Sequence, residues 1–150
     1  MRAYKVYAIK DGTVIDHIPD GQGMGIIDLL NLRQWNRTVT LGIGFHSKKH
    51  GKKDVIKIED KELTPAEVNK IAIVAPTATM NIIRNHKIVK KFNVELPETL
   101  EGIVKCPNPA CVTNHDPVAT TRFFKENGKK IELRCAYCER YFKEHEIEVI

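Results

Sequence analysis

Serine occurs once in this chain, at Ser47, and tryptophan once, at Trp35. A serine nucleophile therefore has a single candidate, and it sits in a lysine-rich stretch with no triad context. Aromatic residues make up only 7% and form no run able to stack unpaired bases, which removes the usual platform of a single-strand nucleic-acid binder. Nowhere do 18 apolar residues follow one another, so no membrane-spanning helix and no membrane partner are expected. The opening MRAYKVYAIK has neither the apolar core nor the small-residue cleavage site of a secretory leader, which makes the cytoplasm the expected compartment. Cysteine is missing from the first hundred residues: all four lie between Cys106 and Cys138.

What is present is an ordinary globular composition, 42% hydrophobic and 29% charged over 150 residues, enough for one domain or two small ones. The charge is unevenly placed. Residues 1–92 carry 16 Lys+Arg against 9 Asp+Glu, a balance of +7, whereas residues 93–150 carry 8 against 10, a balance of −2. One half thus has anion-binding character and the other holds the thiols, which argues for two modules.

The first module reads as alternating strands and helices. Tyr4–Ile9 and Val14–Ile18 are strand-like, separated by the turn signal Asp11-Gly12. Ile26, Ile27, Leu29, Leu30 and Leu32 have helical spacing. The glycines of DGQGMGIID ahead of them are spaced G-x-G-x-G, unlike a dinucleotide fingerprint, and are expected to form a flexible connection. Val39–Phe45 and Val55–Ile58 read as strands around the loop HSKKHGKK. Thr64, Pro65 and Glu67 spell a capping box with proline at the first helical position, and Pro76 ends the helix they open. Met80–Ile83 and Lys87–Val94 form an expected hairpin about Asn85-His86. This order predicts an α+β fold: a ferredoxin-like N-terminal domain with an antiparallel sheet over residues 1–97, with Leu96 to Gly102 as linker.

Residues 98–150 are too few for a robust core and need another source of stability. The cysteines supply one. Their spacing, C-x4-C-x23-C-x2-C over Cys106, Cys111, Cys135 and Cys138, matches a structural Zn²⁺ site made from two tight turns. The alternatives are four free thiols or two disulfides, and a reducing compartment disfavours the second. Strand-like stretches at Thr120–Phe124 and Lys130–Cys135, turning at Glu126-Asn127-Gly128, fit a small all-β zinc-ribbon-like module. Four thiolates leave no open coordination position, so the site is structural and no enzyme activity is expected from it. Asp16-His17 could be an acid/base pair, but neighbours on a strand point to opposite faces, which disfavours it.

The basic residues have a bland reading, a loop kept soluble by charge, and a functional one. Lys53, Val55 and Lys57 share a strand face, so two ammonium groups can converge on one anion, and Lys87, Lys90 and Lys91 lie on the module's last strand.

GTVIDHIP (12–19), GKKDVIKIE (51–59), APTATMNIIRN (75–85), CPNPAC and RCAYCE together resemble the regulatory chain of aspartate carbamoyltransferase, in order and over nearly the whole sequence. The resemblance implies a non-catalytic allosteric subunit of pyrimidine biosynthesis, with CTP, ATP or UTP bound by the first domain. It also implies that the Zn²⁺ domain docks on the catalytic chain and that regulatory chains pair as dimers. By motif it places Asp16 and His17 at the ribose and phosphates, Lys57 at the ribose and Lys91 at phosphate. Ile9, Val14 and Ile88 would line base and sugar, and backbone near Ile9 and His86 would read the base edge. Asn81 and Ile83 would lie beside phosphates and base, and Lys53 would help hold a second nucleotide. The competing reading is a zinc-ribbon nucleic-acid-binding protein using the basic loop; the acidic second module argues against it, and no nucleic-acid partner is expected.

Overall fold

The computed structural model describes residues 8–48, 51–128 and 130–150, and the chain divides into two compact units, 1–95 and 96–150. The first unit runs β1 (Gly12–Pro19), α1 (Gly23–Leu29), a 3-10 turn (Leu32–Gln34), β2 (Val39–Ser47), β3 (Gly51–Glu59), α2 (Pro65–Val74), β4 (Thr79–Arg84) and β5 (Lys87–Asn93). The five strands form one sheet in the order β2-β3-β1-β4-β5, every pair antiparallel. Its first four strands have the ferredoxin-like order, and β5 extends the sheet at the β4 edge.

One face of this sheet forms the core. The cross-strand row Leu41, Ile56, Ile15, Met80 and Phe92 has Ile15, Ile56 and Met80 fully buried, and α1 packs against β2, β3 and α2. The capping box forms as expected: Thr64 Oγ1 accepts from the Glu67 amide at 3.2 Å and Glu67 accepts from the Thr64 amide at 3.0 Å. The helix stops at Val74 with Ile71, Ala72 and Ile73 buried. The β4–β5 turn is Asn85-His86, both at positive φ (50° and 64°), as a two-residue hairpin of this hand requires.

Two loop expectations in the first unit need correction, and one strand expectation falls mostly outside the described residues. Residues 4–7 of the strand expected at Tyr4–Ile9 lie outside the described residues, and Ala8 and Ile9 belong to no strand. The loop HSKKHGKK is shorter than expected. Lys49 and His50 lie outside the described residues, but Ser47 pairs with Gly51, His46 with Lys52 and Phe45 with Lys53, so the ladder runs almost to the turn. The glycine-rich connection is not slack. Asp54, 1% exposed on β3, accepts from the Gly21 and Gly23 amides at 3.1 and 2.9 Å and so satisfies the open start of α1. A Cβ on Gly23 would lie 2.6 Å from Leu41 Cδ1 and 3.0 Å from Asp54 Oδ2, so a larger residue there would have to displace these side chains.

The second unit is all β apart from short 3-10 turns. Strands β6 (Thr99–Glu101), β8 (Arg122–Lys125), β9 (Glu132–Cys135) and β10 (Tyr141–Lys143) form an antiparallel sheet in the order β10-β9-β8-β6, and β7 (Val104–Lys105) pairs with β11 (Glu148–Val149). The stretch expected as linker therefore contributes a strand. Leu100, 1% exposed between the less buried Thr99 and Glu101, joins Phe123, Leu133 and Phe142 in a small core. Among the described residues no helix is long and apolar enough to cross a membrane.

Candidate ligand-binding face and metal centre

The sheet face opposite the core carries Lys57 and Lys91, whereas Lys90 and Lys87, opposed to Ile82 and Arg84, stand on the other face. Directly opposed residues on antiparallel strands project from the same face, and the register runs Lys57 to Val14, Val14 to Asn81 and Asn81 to Lys91. Lys57 and Lys91 thus stand at the two ends of a row four strands wide, about 14 Å apart at the backbone, with Val14 and Asn81 between them. Both ammonium groups can reach a single polyanion lying across the row.

Two β-bulges complete this face, and neither is visible in a two-residue period. On β5, Ile83 opposes Ile88 while Ile82 opposes Lys90, so one extra residue, Val89, is accommodated. Ile88 and Lys91, three apart in sequence, consequently both join the face of Ile83 and Asn81. On β1 the register shifts between Ile15 and Ile18, and His17 takes a left-handed φ of 55°. The expectation that Asp16 and His17 diverge is thereby corrected. Asp16 opposes Thr79 of β4 in register while its carboxylate meets the His17 amide and Lys53 of β3, and His17 Nδ1 lies 3.1 Å from Thr79 Oγ1. Thr79 Oγ1 in turn donates to Asn93 at 3.2 Å, and the Thr77 hydroxyl donates to the His17 carbonyl at 2.9 Å. Sequence reasoning missed Thr77, Thr79 and Asn93, since only the register reveals their place beside Asp16-His17.

The charges are unequal in their commitments. Lys53 Nζ lies 2.9 Å from Asp16 Oδ1. Burial pushes the Asp16 carboxyl up, but the hydrogen bonds from Lys53 and the His17 amide, with the charges of both residues, outweigh it and hold the group below its ordinary value. Lys57 has no ion-pair partner among the described residues, and burial holds its ammonium below the usual lysine range, opposed only by the charge of Asp16. An anion would relieve that cost. Beside His17 and Lys53, and not lined by Lys57, lies a hollow of about 210 Å³ bounded also by Ile18, Pro19, Asp20, Lys52 and Thr77.

The remaining candidates cluster at the other end of β1. Ile9 is buried, Ile83 opposes Gly12, and Ile88 is 59% exposed. The His86 amide donates to the Lys10 carbonyl at 2.9 Å, so that N–H is already engaged.

In the second unit Cys106 follows β7, Cys111 precedes a 3-10 turn (Val112–Asn114), Cys135 ends β9 and Cys138 lies in the turn to β10. Their sulfurs all lie within 4.8 Å of one another, with Cys106 to Cys138 at 3.7 Å and Cys111 to Cys135 at 3.8 Å. A tetrahedron with metal–sulfur bonds of about 2.3 Å has edges of about 3.8 Å, whereas a disulfide brings sulfurs to about 2.05 Å. The spacing therefore fits a four-thiolate metal and excludes the disulfide alternative.

Burial, first of all, raises the Cys106 and Cys135 thiols above their ordinary value. Burial also pushes Cys138 up, but the Arg140 amide, the Asn108 side chain and the neighbouring thiols outweigh it and bring Cys138 down to about 7. Four thiolates this close need a cation to be ionised together. The surrounding shell is built from the loops: Thr113 Oγ1 lies 3.2 Å from Cys111 Sγ, and Asn114 Nδ2 donates to the Cys106 and Asn108 carbonyls at 2.9 and 2.8 Å. Asn108 is 8% exposed, whereas Tyr137, Glu139 and Arg140 on the second cysteine turn are exposed.

These features define a two-part protein, an open basic sheet face in one unit and a closed metal-binding ribbon in the other, with no open metal position for catalysis. Comparison with known proteins agrees in both parts. The aspartate carbamoyltransferase regulatory chain, allosteric domain, matches residues 4–95, and the metal binding domain of the same regulatory chain matches residues 98–148. The aspartate carbamoyltransferase regulatory chain of Pyrococcus horikoshii is 53% identical over 149 residues, covering 98% of this chain and 97% of the relative. That of Sulfolobus acidocaldarius is 46% identical over 143 residues, covering 95% and 87%. The chain belongs to the aspartate carbamoyltransferase regulatory chain family, and it is a regulatory rather than a catalytic subunit.

Proposed function

We propose that this chain binds nucleoside triphosphates, CTP, ATP or UTP, on the helix-free face of residues 1–97 and passes their effect to a catalytic chain of aspartate carbamoyltransferase through residues 98–150. The observation that carries the reading is the row Lys57, Val14, Asn81 and Lys91, with a half-buried ammonium that has no ion-pair partner among the described residues at one end and an exposed one at the other. Phosphates would lie toward Lys91, Asp16 and His17, the ribose near Lys57, and the base toward Ile9, Ile83, His86 and Ile88. Lys53, held by Asp16, would serve a second nucleotide.

The metal is proposed to be one structural Zn²⁺ per chain, since four thiolates in a tetrahedron suit that ion. Docking would use the exposed part of the second cysteine turn, Glu139 and Arg140, and self-association would give a regulatory dimer in the cytoplasm. Calorimetry of wild type and Lys91→Ala with CTP and ATP tests the site: removing one charge-assisted contact should cost about 1.5–3 kcal/mol. Equal affinities for the two proteins would sink the assignment. The nucleic-acid alternative predicts instead a steep salt dependence with long polyanions, and the +7 and −2 charge split leaves it only the first unit to work with.

A further inference from the structure

Two consecutive non-glycine residues in left-handed conformation, Asn85 and His86, are costly unless the surroundings determine them. Here both amides are anchored to the segment before β1. The Asn85 amide donates to Asp11 Oδ1 at 3.1 Å, and the His86 amide to the Lys10 carbonyl at 2.9 Å. The Asp11 carbonyl also accepts from the Asp60 amide at 3.0 Å, where β3 leaves the sheet at a φ of 59°. Gly12, next in the chain, opposes both Glu59 and Ile83, and a Cβ there would collide with the Ile58 carbonyl. Asp11 is therefore the point at which the exit of β3 and the tip of the β4–β5 hairpin are tied to the start of β1.

That hairpin carries Ile83, His86, Ile88 and Lys91, and Ile9 lies two residues before Asp11. The Asp11 carboxylate makes no contact with the row from Lys57 to Lys91, so any influence on a ligand must pass through the turn. We propose that Asp11 is a positioning residue for the nucleotide face: its carboxylate holds the Asn85-His86 turn so that the base-side residues and Lys91 stand in register with β1. This rests on the nucleotide reading above. The relevant property is the Oδ1 acceptor at the Asn85 amide, not the negative charge, and the two are separable because asparagine keeps the acceptor and lacks the charge.

The test uses the full-length chain as wild type, Asp11→Ala and Asp11→Asn. Melting temperature and metal content show that each variant is folded. CTP binding is measured by calorimetry, and exchange of the Asn85 amide is followed by NMR. Asp11→Ala should bind CTP about tenfold more weakly, the upper end for losing one ordinary hydrogen bond, with faster Asn85 exchange. Asp11→Asn should return both readouts to within about twofold of wild type if acceptor geometry is what matters. An Asp11→Ala chain that binds CTP like wild type, or an Asp11→Asn chain as weak as Asp11→Ala, overturns the proposal while leaving the nucleotide reading intact. A wild-type chain that binds none of CTP, ATP and UTP overturns both.

Discussion

If Lys57 holds the nucleotide as proposed, stability and function are in opposition at this single residue. Its ammonium is held below the usual lysine range by burial, so charging it disfavours the folded state near neutral pH. Lys57→Met should therefore leave the free chain no less stable than wild type while weakening CTP binding. Chemical denaturation and calorimetry on the same samples check this, and a variant that loses stability while keeping affinity would contradict it. Asp16 behaves in the opposite sense. Its folded value lies below the ordinary 3.8, so its contribution is fully present above that pH and is lost as pH falls through the lowered value. Asp16→Asn should consequently show a shallower acid limb in unfolding experiments run from pH 5 to pH 2. At this scale the four cysteines were the most legible feature of the sequence, because spacing alone carries the ligand set. The Thr79 to His17 contact was not, since it exists only through a register 62 residues apart.

Elements announced by local chemistry were readable, and elements set by pairing were not. Helix α2 was written in Thr64, Pro65 and Glu67, and the capping box is present at both of its hydrogen bonds. Thr64→Ala should cost about 1 kcal/mol in urea unfolding of the first unit. Strand β6 was hidden in a Pro- and Gly-containing stretch because only its middle residue, Leu100, is buried, and three residues are too few to show a period. The bulges are harder still. Alternation along β5 cannot reveal that the ladder skips Val89, yet that skip is what puts Ile88 and Lys91 on one face. Deleting Val89, which is 60% exposed and leaves no cavity, should restore a regular ladder and turn either Ile88 or Lys91 away from the site. The expected outcome is a folded first unit with CTP affinity at least about tenfold lower. Unchanged affinity would mean that the bulge does not organise the face.

The two units rest on different sources of stability, and this makes them separable in experiment. Residues 1–95 have a five-stranded sheet, two helices and a core that includes Ile15, Ile18, Ile26, Ile56, Ile58, Ile71 and Met80, each fully buried. Residues 96–150 bury Leu100, Val104, Phe123, Leu133 and Phe142 with three cysteines, a core too small to offset the ordering of about fifty residues without a cross-link. Metal binding is folding free energy in such a module. Stripping the metal from the full chain with a thiol-reactive mercurial and a chelator should unfold the second unit while the first keeps its cooperative transition and its affinity for CTP. Cys138→Ser should do the same in part, because it removes the one ligand that is not fully buried and leaves three thiols around an incomplete tetrahedron. Sedimentation with the catalytic chain should then show lost assembly, whereas calorimetry with CTP shows binding retained. If the stripped chain still assembles, docking does not depend on the cysteine turns. If it loses CTP binding together with assembly, the metal supports the sheet face as well, and the separation of roles between the units is wrong.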